Sequence, residues 1–280
     1  MRKILLFLLF ATLAVPSFSQ NAAYETKKDI SYYPSSTKGD AYREERCKLD
    51  IYYPKNKSNS STIVWFHGGG LTGGNKEIPR ELLEKGFIVI GVGYRLSPKV
   101  LVKDIIEDAT ASVAWAFNNV ASYGGNNKLI FVSGHSAGGY LDMMLTLDKK
   151  YLAKYHIDAD SIAGIIPFSG QAITHFTVRQ ERKIKDVQPI IDEYAPLYHV
   201  RPTAPPMLLI TGDREMEMLG RYEENAYLAR MMKLAGHKTT VLYELQGFGH
   251  GDMAVPAMPL LIKEVNRLSK QIKENKKIGL

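Results

Sequence analysis

Cysteine is nearly absent from this sequence. Its 280 residues include one cysteine, Cys47, so no disulfide bond can form within the chain. Histidine, cysteine and acidic residues do not cluster at the spacings of metal ligands either, and we expect neither a metal ion nor a cofactor. Stability must therefore come from a buried core, and a hydrophobic content of 45% is sufficient for one large domain.

Long hydrophobic runs are also lacking, except at the N-terminus. Residues 4–15 are apolar, follow two basic residues, and precede the small-residue pattern SFS at 17–19. This run is too short to span a bilayer comfortably and is typical of the core of a cleaved signal peptide. We therefore expect a signal peptide over residues 1–19, no stable membrane anchor, and export to the periplasm or the extracellular space.

The positive charge of the chain does not indicate a nucleic-acid partner. The net charge is +7, and many of the lysines lie in the C-terminal segment KEVNRLSKQIKENKK. Their spacing fits the solvent-exposed face of a final helix, and no aromatic residues are interleaved with them. We interpret this charge as a contribution to solubility and expect no nucleic acid to bind.

Apolar runs alternate with helical patterns along the rest of the chain. Strands are predicted at 47–54, 61–70, 87–95, 128–133, 161–170, 205–213 and 239–245, and helices at 77–86, 103–124, 220–235, from 137 and from about 257. Residues 20–45 are interpreted as a polar N-terminal arm. This alternation predicts an α/β fold with a mostly parallel sheet, in a single domain over residues 20–280.

One short motif indicates a nucleophile. Residues 134–138, GHSAG, follow a predicted buried strand and precede a predicted helix, which is the context that the pattern G-x-S-x-G requires. Ser136 would sit on a sharp turn with strained backbone angles, where side chains two residues before or after it would collide. Gly134 and Gly138 avoid that collision. The sequence therefore predicts Ser136 as a nucleophile.

A second motif, FHGGG, ends an upstream buried strand at residues 66–70. Acyl transfer passes through an oxyanion that needs preorganised N–H donors, and glycines leave backbone amides open to such an oxygen. We expect the amides of Gly69, Gly70 and Ala137 to form the oxyanion hole. His67 is expected to orient the loop by hydrogen bonding.

A serine nucleophile needs a base, and the base needs an orienting acid. His250 stands on a glycine-flanked loop after the last predicted strand, and Asp213 ends the buried run LLITGD. The order Ser136, Asp213, His250 is the order in which an acid and a base follow the serine of a G-x-S-x-G motif. Glu215 and Glu217 are the alternative acids.

Several motifs together resemble the α/β-hydrolases of the esterase and lipase group with an HGGG motif, including the hormone-sensitive-lipase-like enzymes. They are WFHGGG at 65–70, VGYRLSP at 92–98, GHSAGGYL at 134–141, PMLLITGD at 206–213 and GFGH at 247–250. The hormone-sensitive-lipase-like enzymes usually carry an acidic residue in place of His135 and a larger N-terminal cap. These two departures favour the smaller secreted bacterial carboxylesterases, which include feruloyl and acetyl esterases.

The resemblance implies hydrolysis of a small-molecule ester through an acyl-enzyme, with acylated carbohydrates among the candidate substrates. The alternatives are an arylformamidase or a serine peptidase on the same fold, or a non-catalytic binding protein on a hydrolase scaffold. The connection at 171–203 is longer than a crossover helix needs. It is interpreted as a short lid-like insertion with His175 and Phe176 near the mouth of a substrate pocket; the alternative is that it only packs a connecting helix on the sheet.

Overall fold

The computed structural model describes residues 23–34 and 40–278, so the predicted signal peptide lies outside the described residues. The strands in the described part of the chain are β1 (Tyr24–Ser31), β2 (Lys48–Pro54), β3 (Ser60–Phe66), β4 (Ile88–Val92), β5 (Gly125–His135), β6 (Gly164–Phe168), β7 (Met207–Gly212) and β8 (Thr240–Leu245). The helices there are α1 (Ala41–Arg46), α2 (Val102–Asn119), α3 (Ala137–Leu147), α4 (Lys150–Ala153), α5 (Phe176–Glu181), α6 (Arg221–Leu234) and α7 (Ala254–Ile278). Short 3₁₀ turns lie at Arg80–Leu82, Val120–Tyr123, Ala159–Ser161 and Pro196–His199.

These strands form one mixed sheet in the order β1-β2-β4-β3-β5-β6-β7-β8. The β1–β2 and β2–β4 pairs are antiparallel, and the remaining pairs are parallel. The predicted α/β architecture with a mostly parallel sheet is thus confirmed. Because parallel strands end at the same edge, the carboxyl ends of β3, β5, β6, β7 and β8 share one edge, where the sites of such folds lie.

The two faces of the sheet carry separate cores, and the period of two in each strand divides the side chains between them. In β3, Val64 and Phe66 pack with α2 and α3, whereas Ile63 and Trp65 pack with α7. Strand β3 is buried along its whole length. The central strands are therefore held from both sides, and the loops at their carboxyl ends start from fixed positions.

Two predictions were wrong in detail: the polar N-terminal arm over residues 20–45 and the helix over residues 77–86. Residues 24–31 form strand β1, because they pair with β2 and the Tyr24 ring stacks on Tyr52 at 4.8 Å. In the second segment, Pro79 has an extended conformation with ψ 131°, and only the 3₁₀ turn Arg80–Leu82 forms after it. Leu82 is fully buried on the α7 side, so packing rather than helix propensity determines this segment.

The 171–203 segment follows β6 and contains only α5 and the turn Pro196–His199. It is held internally by the buried Arg179 guanidinium, which donates to the carbonyls of Asp186 and Gln188 at 2.7 and 2.8 Å. Val178 packs into the core on the α2 and α3 face. The segment is therefore anchored to the domain at its first helix.

Candidate active site

Ser136 lies at the junction of β5 and α3 in a strained conformation, with φ 56° and ψ −112°. A Cβ atom at Gly138 would overlap the Phe66 carbonyl of the neighbouring strand, and one at Gly134 would lie 2.6 Å from the same oxygen. The junction is thus possible only because both positions are glycine. Ser136 donates its own amide to the Phe168 carbonyl at 2.8 Å, which ties the turn to β6.

The Ser136 hydroxyl is the first member of a chain of three side chains. Its Oγ lies 2.8 Å from Nε2 of His250, and His250 Nδ1 lies 2.7 Å from Oε2 of Glu217. The Glu217 carboxylate can only accept a hydrogen bond when ionised, so Nδ1 carries the proton and the Nε2 lone pair faces Ser136. The described structure thus places a hydroxyl, an imidazole and a carboxylate in the arrangement that a nucleophile, a base and an orienting acid require.

The Glu217 carboxylate is held in its charged form. Burial alone would raise its pKa, because the side chain is only 1% exposed. Hydrogen bonds from His250, Ser169 and the Gly212 amide outweigh burial and lower the pKa to about 2. Glu217 is therefore ionised at neutral pH, as an acid that orients an imidazole must be.

The choice of Asp213 as the orienting acid was wrong, since Glu217 occupies that position. The Asp213 carboxylate instead accepts from the amides of Glu215 at 3.0 Å and Gly247 at 2.8 Å. A turn in which the Met216 and Glu217 amides donate to the Asp213 carbonyl carries the chain back toward the end of β7. Because of this turn, the longer side chain of Glu217 reaches His250. Asp213 instead connects the loop after β7 to the loop after β8 through the Gly247 amide.

Nothing in the local sequence distinguishes these carboxylates. Asp213, Glu215 and Glu217 all follow the same strand, and all three are chemically able to orient an imidazole. Glu215 is exposed, whereas the Glu217 side chain is buried. This difference in burial appears only in the folded turn and cannot be read from the sequence.

The HGGG loop lies beside the nucleophile, with its peptide carbonyls held by neighbouring groups. A Cβ atom at Gly68 would lie 3.5 Å from the Ser136 Cβ. His67 Nδ1 lies 2.7 Å from the Gly68 carbonyl, and the Gly69 carbonyl accepts from the amides of a turn that ends at residue 73. In a trans peptide the N–H points opposite to the preceding C=O, so these contacts fix the directions of the Gly69 and Gly70 amides.

His67 is a buried, neutral residue. Burial lowers its pKa to about 4, the Gly68 carbonyl opposes that shift, and the charge of Arg46 adds to it. Its ring stacks on Tyr94 at 4.2 Å, and the Tyr94 hydroxyl donates to the His67 carbonyl at 2.6 Å. These contacts give the ring one orientation, in which Nδ1 donates to the loop.

His135, between Gly134 and the nucleophile, contacts the loop that carries the base. Its Nε2 donates to the His250 carbonyl at 2.8 Å, and the two rings lie 4.9 Å apart. Burial, with a smaller contribution from the charge of His250, lowers the pKa of His135 to about 4. The main chain of His250 is therefore fixed by a residue of the nucleophile motif, a contact that the sequence did not reveal.

The two residues proposed for the pocket mouth occupy different positions. His175 is 1% exposed, accepts from the Thr177 amide at the start of α5, and packs against Tyr140, so its predicted place at the mouth was wrong. Phe176 is half-buried and lies against the HGGG loop, since a Cβ at Gly70 would be 2.9 Å from its Cζ. The Thr177 hydroxyl also donates to the Gly70 carbonyl at 2.6 Å.

The described residues, 23–34 and 40–278, contain neither a group of metal ligands nor a membrane-spanning helix. No three or more His, Cys, Asp or Glu side chains among them are grouped so that they could hold a metal ion. No helix in the same ranges combines the length and the apolarity needed to cross a membrane.

Comparison with known proteins identifies the family. The BD-FAE family model matches residues 49–219, which include Ser136 and Glu217. A probable isoprenylcysteine α-carbonyl methylesterase of Oryza sativa subsp. japonica is 32% identical over 148 residues, 50% of this chain and 33% of that protein. Esterase LipC of Mycobacterium tuberculosis is 28% identical over 208 residues, 67% of this chain and 50% of that protein. The chain thus spans about a third to a half of the length of these relatives.

The fold has solved counterparts. A truncated form of a carbohydrate esterase from gut microbiota superposes with a TM-score of 0.72 at 17% identity, over 90% of this chain and 99% of that one. Esterase B of Lactobacillus rhamnosis superposes with a TM-score of 0.70 at 19% identity, over 91% and 90%. With the family match over more than half of its length, the chain belongs to the BD-FAE family and has the α/β-hydrolase fold.

Proposed function

We propose that this protein is a serine hydrolase that cleaves carboxylic esters. The observation that carries the proposal is the continuous hydrogen-bonded chain from Ser136 through His250 to Glu217, at 2.8 and 2.7 Å. The names of the relatives support it, because those proteins are described as esterases and methylesterases. The acid in this proposal is Glu217, in place of the aspartate expected from the sequence.

The reaction would proceed through an acyl-enzyme. His250 Nε2 takes the hydroxyl proton as Ser136 Oγ attacks the ester carbonyl carbon, and Glu217 stabilises the imidazolium. The tetrahedral intermediate collapses, and the alcohol leaves with the proton from Nε2. A water molecule then gives a proton to Nε2 and attacks the acyl carbon, which releases the acid and restores the Ser136 hydroxyl.

The oxyanion of each tetrahedral intermediate needs donors fixed in advance. We assign this role to the amides of Gly69, Gly70 and Ala137. Ala137 is the first residue of α3, so its amide has no acceptor within the helix and adds the positive end of the helix dipole. His67 supports the site by holding the Gly68 carbonyl, and its lowered pKa keeps it neutral near the reaction.

For the substrate, we propose a small-molecule ester, with an acylated carbohydrate as the first class to test. A carbohydrate esterase is among the solved structures with this fold, which supports the choice of class. The Phe176 ring beside Gly70 supplies an apolar wall next to the proposed oxyanion hole. An aromatic ring in this position suits an acyl or aryl group better than a charged one.

Export is a separate proposal and depends on residues 1–19. Their basic start, apolar run and small-residue end predict a cleaved signal peptide. Expression of the full chain, followed by N-terminal sequencing of the exported protein, tests it. A product that retains residues 1–19 would contradict cleavage.

The chemistry is tested with a fluorophosphonate probe and an ester panel. The wild-type protein is expected to gain one probe adduct on Ser136 by intact mass, and Ser136→Ala is expected to gain none. The ester panel should vary acyl length and include acetylated and feruloylated sugars, beside an aryl formamide and a peptide anilide. Hydrolysis of the formamide or the anilide alone would contradict ester hydrolysis. A protein that neither reacts with the probe nor hydrolyses any substrate of the panel would favour the alternative of a non-catalytic binding protein.

A further inference from the structure

Ser169 stands next to the proposed triad without belonging to it. It follows the last residue of β6, is fully buried, and has a positive φ of 49°. Its Oγ lies 2.5 Å from Oε1 of Glu217 and 3.1 Å from Nδ1 of His250. One hydroxyl therefore contacts both the acid and the base.

The chemistry of the partners assigns the direction of each hydrogen bond. The ionised Glu217 carboxylate can only accept, so the Ser169 proton points to Oε1. The Ser169 oxygen then faces the Nδ1–H of His250, which is shared between Ser169 and Oε2 of Glu217. In this arrangement the hydroxyl fixes the rotation of the carboxylate and supplies a second acceptor to the imidazole.

The main chain around Ser169 is held as firmly as its side chain. Its amide donates to the Ile210 carbonyl at 2.7 Å. Its carbonyl accepts from the guanidinium of Arg221, which is 2% exposed. The next carbonyl, that of Gly170, accepts from the Asn225 amide group at 2.8 Å. Two residues of α6 thus fix the backbone that positions the Ser169 hydroxyl against Glu217.

The strained backbone of Ser169 is itself informative. A non-glycine residue at positive φ costs stability, and glycine would occupy this position without that cost. A side chain retained there at a cost indicates that the hydroxyl has a use, and both of its contacts are to the proposed acid and base.

We propose that Ser169 is a positioning residue, whose hydroxyl aligns the Glu217 carboxylate and holds the Nδ1–H tautomer of His250. The proposal rests on the serine hydrolase function proposed above. It does not place Ser169 in contact with substrate, so loss of the hydroxyl should affect the chemical step and leave substrate binding unchanged.

The decisive measurement is the steady-state kinetics of Ser169→Ala and Ser169→Gly on the best ester of the panel. Loss of one hydrogen bond to a charged group should lower kcat roughly 10- to 100-fold, with KM within about twofold of wild type. Ser169→Gly removes the hydroxyl and the backbone strain together, so it should be at least as stable as Ser169→Ala and still lose kcat. A Ser169→Gly variant with wild-type kcat would overturn the proposal.

Ser133→Ala is the matched control. Ser133 is also fully buried at this sheet, but its hydroxyl donates to the Ile166 carbonyl at 2.6 Å and touches no member of the triad. The control should lose stability comparable to that lost by Ser169→Ala while keeping kcat within about twofold. Equal losses of kcat in the two alanine variants would show that Ser169 acts only through packing, which would contradict the proposal.

A spectroscopic readout separates this proposal from the proposed function. The Nδ1–H of His250 should give a downfield proton NMR signal, identified by its loss in His250→Ala. In Ser169→Ala and Ser169→Gly that signal should shift or broaden, and in Ser133→Ala it should not. This result does not require turnover: a protein inactive on every ester would defeat the proposed function, while an unshifted signal would defeat the role of Ser169.

Discussion

The two halves of the candidate site are built in different ways. At the ends of β3 and β5, main-chain contacts fix the nucleophile turn and the HGGG loop, as when Gly138 packs against the Phe66 carbonyl. At the ends of β7 and β8, hydrogen bonds to side-chain carboxylates fix the acid and the base. The Glu217 carboxylate accepts from the Gly212 amide and the Ser169 hydroxyl, and the Asp213 carboxylate accepts from the Gly247 amide.

The surroundings of the two halves differ as well. Strands β3 and β5 lie in the middle of the sheet, whereas β8 is an edge strand with two exposed positions. The turn that carries Glu217 also carries Leu219, which is 87% exposed, and the loop before His250 carries Phe248, which is 40% exposed. The β7–β8 half therefore depends on a few hydrogen bonds where the β3–β5 half depends on close packing.

The largest expected effect separates the two carboxylates of the β7–β8 half. Glu217→Gln should lower kcat roughly 10⁴-fold, because the neutral amide neither stabilises the imidazolium nor enforces the Nδ1–H tautomer. Asp213→Asn should lower kcat less than about tenfold, because it weakens only the contacts with the Glu215 and Gly247 amides. Steady-state kinetics of the two variants on one ester would decide this; a larger loss in Asp213→Asn would restore the aspartate as the acid.

This contrast explains how much the sequence alone could predict. Close backbone contacts require glycines at fixed spacings, so GHSAG and FHGGG predicted Ser136 and the HGGG loop from the sequence. His250 was predicted because its loop is glycine-flanked and follows the last strand, and the structure places it beside Ser136. The choice between Asp213 and Glu217 depends on how one turn folds back on β7. Three acidic residues lie within five positions there, and their order does not predict the shape of that turn.

Two other features depended on tertiary contacts that leave no local pattern. His175 is polar and follows a strand, which favoured a place at a pocket, yet it caps α5 and is buried against Tyr140. Strand β1 has polar residues at several exposed positions because it is the outer strand of the sheet. In both cases the partner lies far away in the sequence, and local composition does not reveal it.

The second prediction tests the packing of the β3–β5 half. In Gly138→Ala the new methyl group would overlap the Phe66 carbonyl, which is main chain and cannot rotate away. We expect the free energy of unfolding to fall by about 3 kcal/mol or more. Gly251→Ala is the control from the other half, since a Cβ there meets nothing within 4 Å, and it should change stability by about 0.5 kcal/mol or less. Urea denaturation of both variants gives the comparison, and equal losses would contradict it.

The third prediction concerns pH and the buried His67. Its pKa is lowered by burial to about 4 in the folded protein, against an ordinary value of 6.5. Between these values the unfolded chain binds a proton that the folded chain does not, so stability falls as the pH falls from 6.5 to 4. The contribution of His67 is fully present above pH 6.5 and amounts to about 3 kcal/mol.

Urea denaturation across pH 4 to 7 measures that contribution. His67→Gln removes the titrating group while an amide can still donate to the Gly68 carbonyl. The variant should show a shallower dependence of stability on pH than wild type, with the difference confined to the range between 4 and 6.5. The same slope in both proteins would mean that His67 is protonated as readily in the fold as in the unfolded chain.

The smallest expected effect concerns Phe176, whose ring lies against Gly70 of the HGGG loop. Phe176→Ala removes the aromatic wall beside Gly70 and leaves the Thr177 hydrogen bond to the Gly70 carbonyl in place. We expect KM for aryl and longer acyl esters to rise roughly three- to tenfold, with acetyl esters nearly unaffected, because only large groups would reach the ring. Tyr198→Ala is the control, since Tyr198 lies in the same segment and is 61% exposed. An ester ranking that Phe176→Ala leaves unaltered would show that this segment packs on the sheet without selecting the substrate.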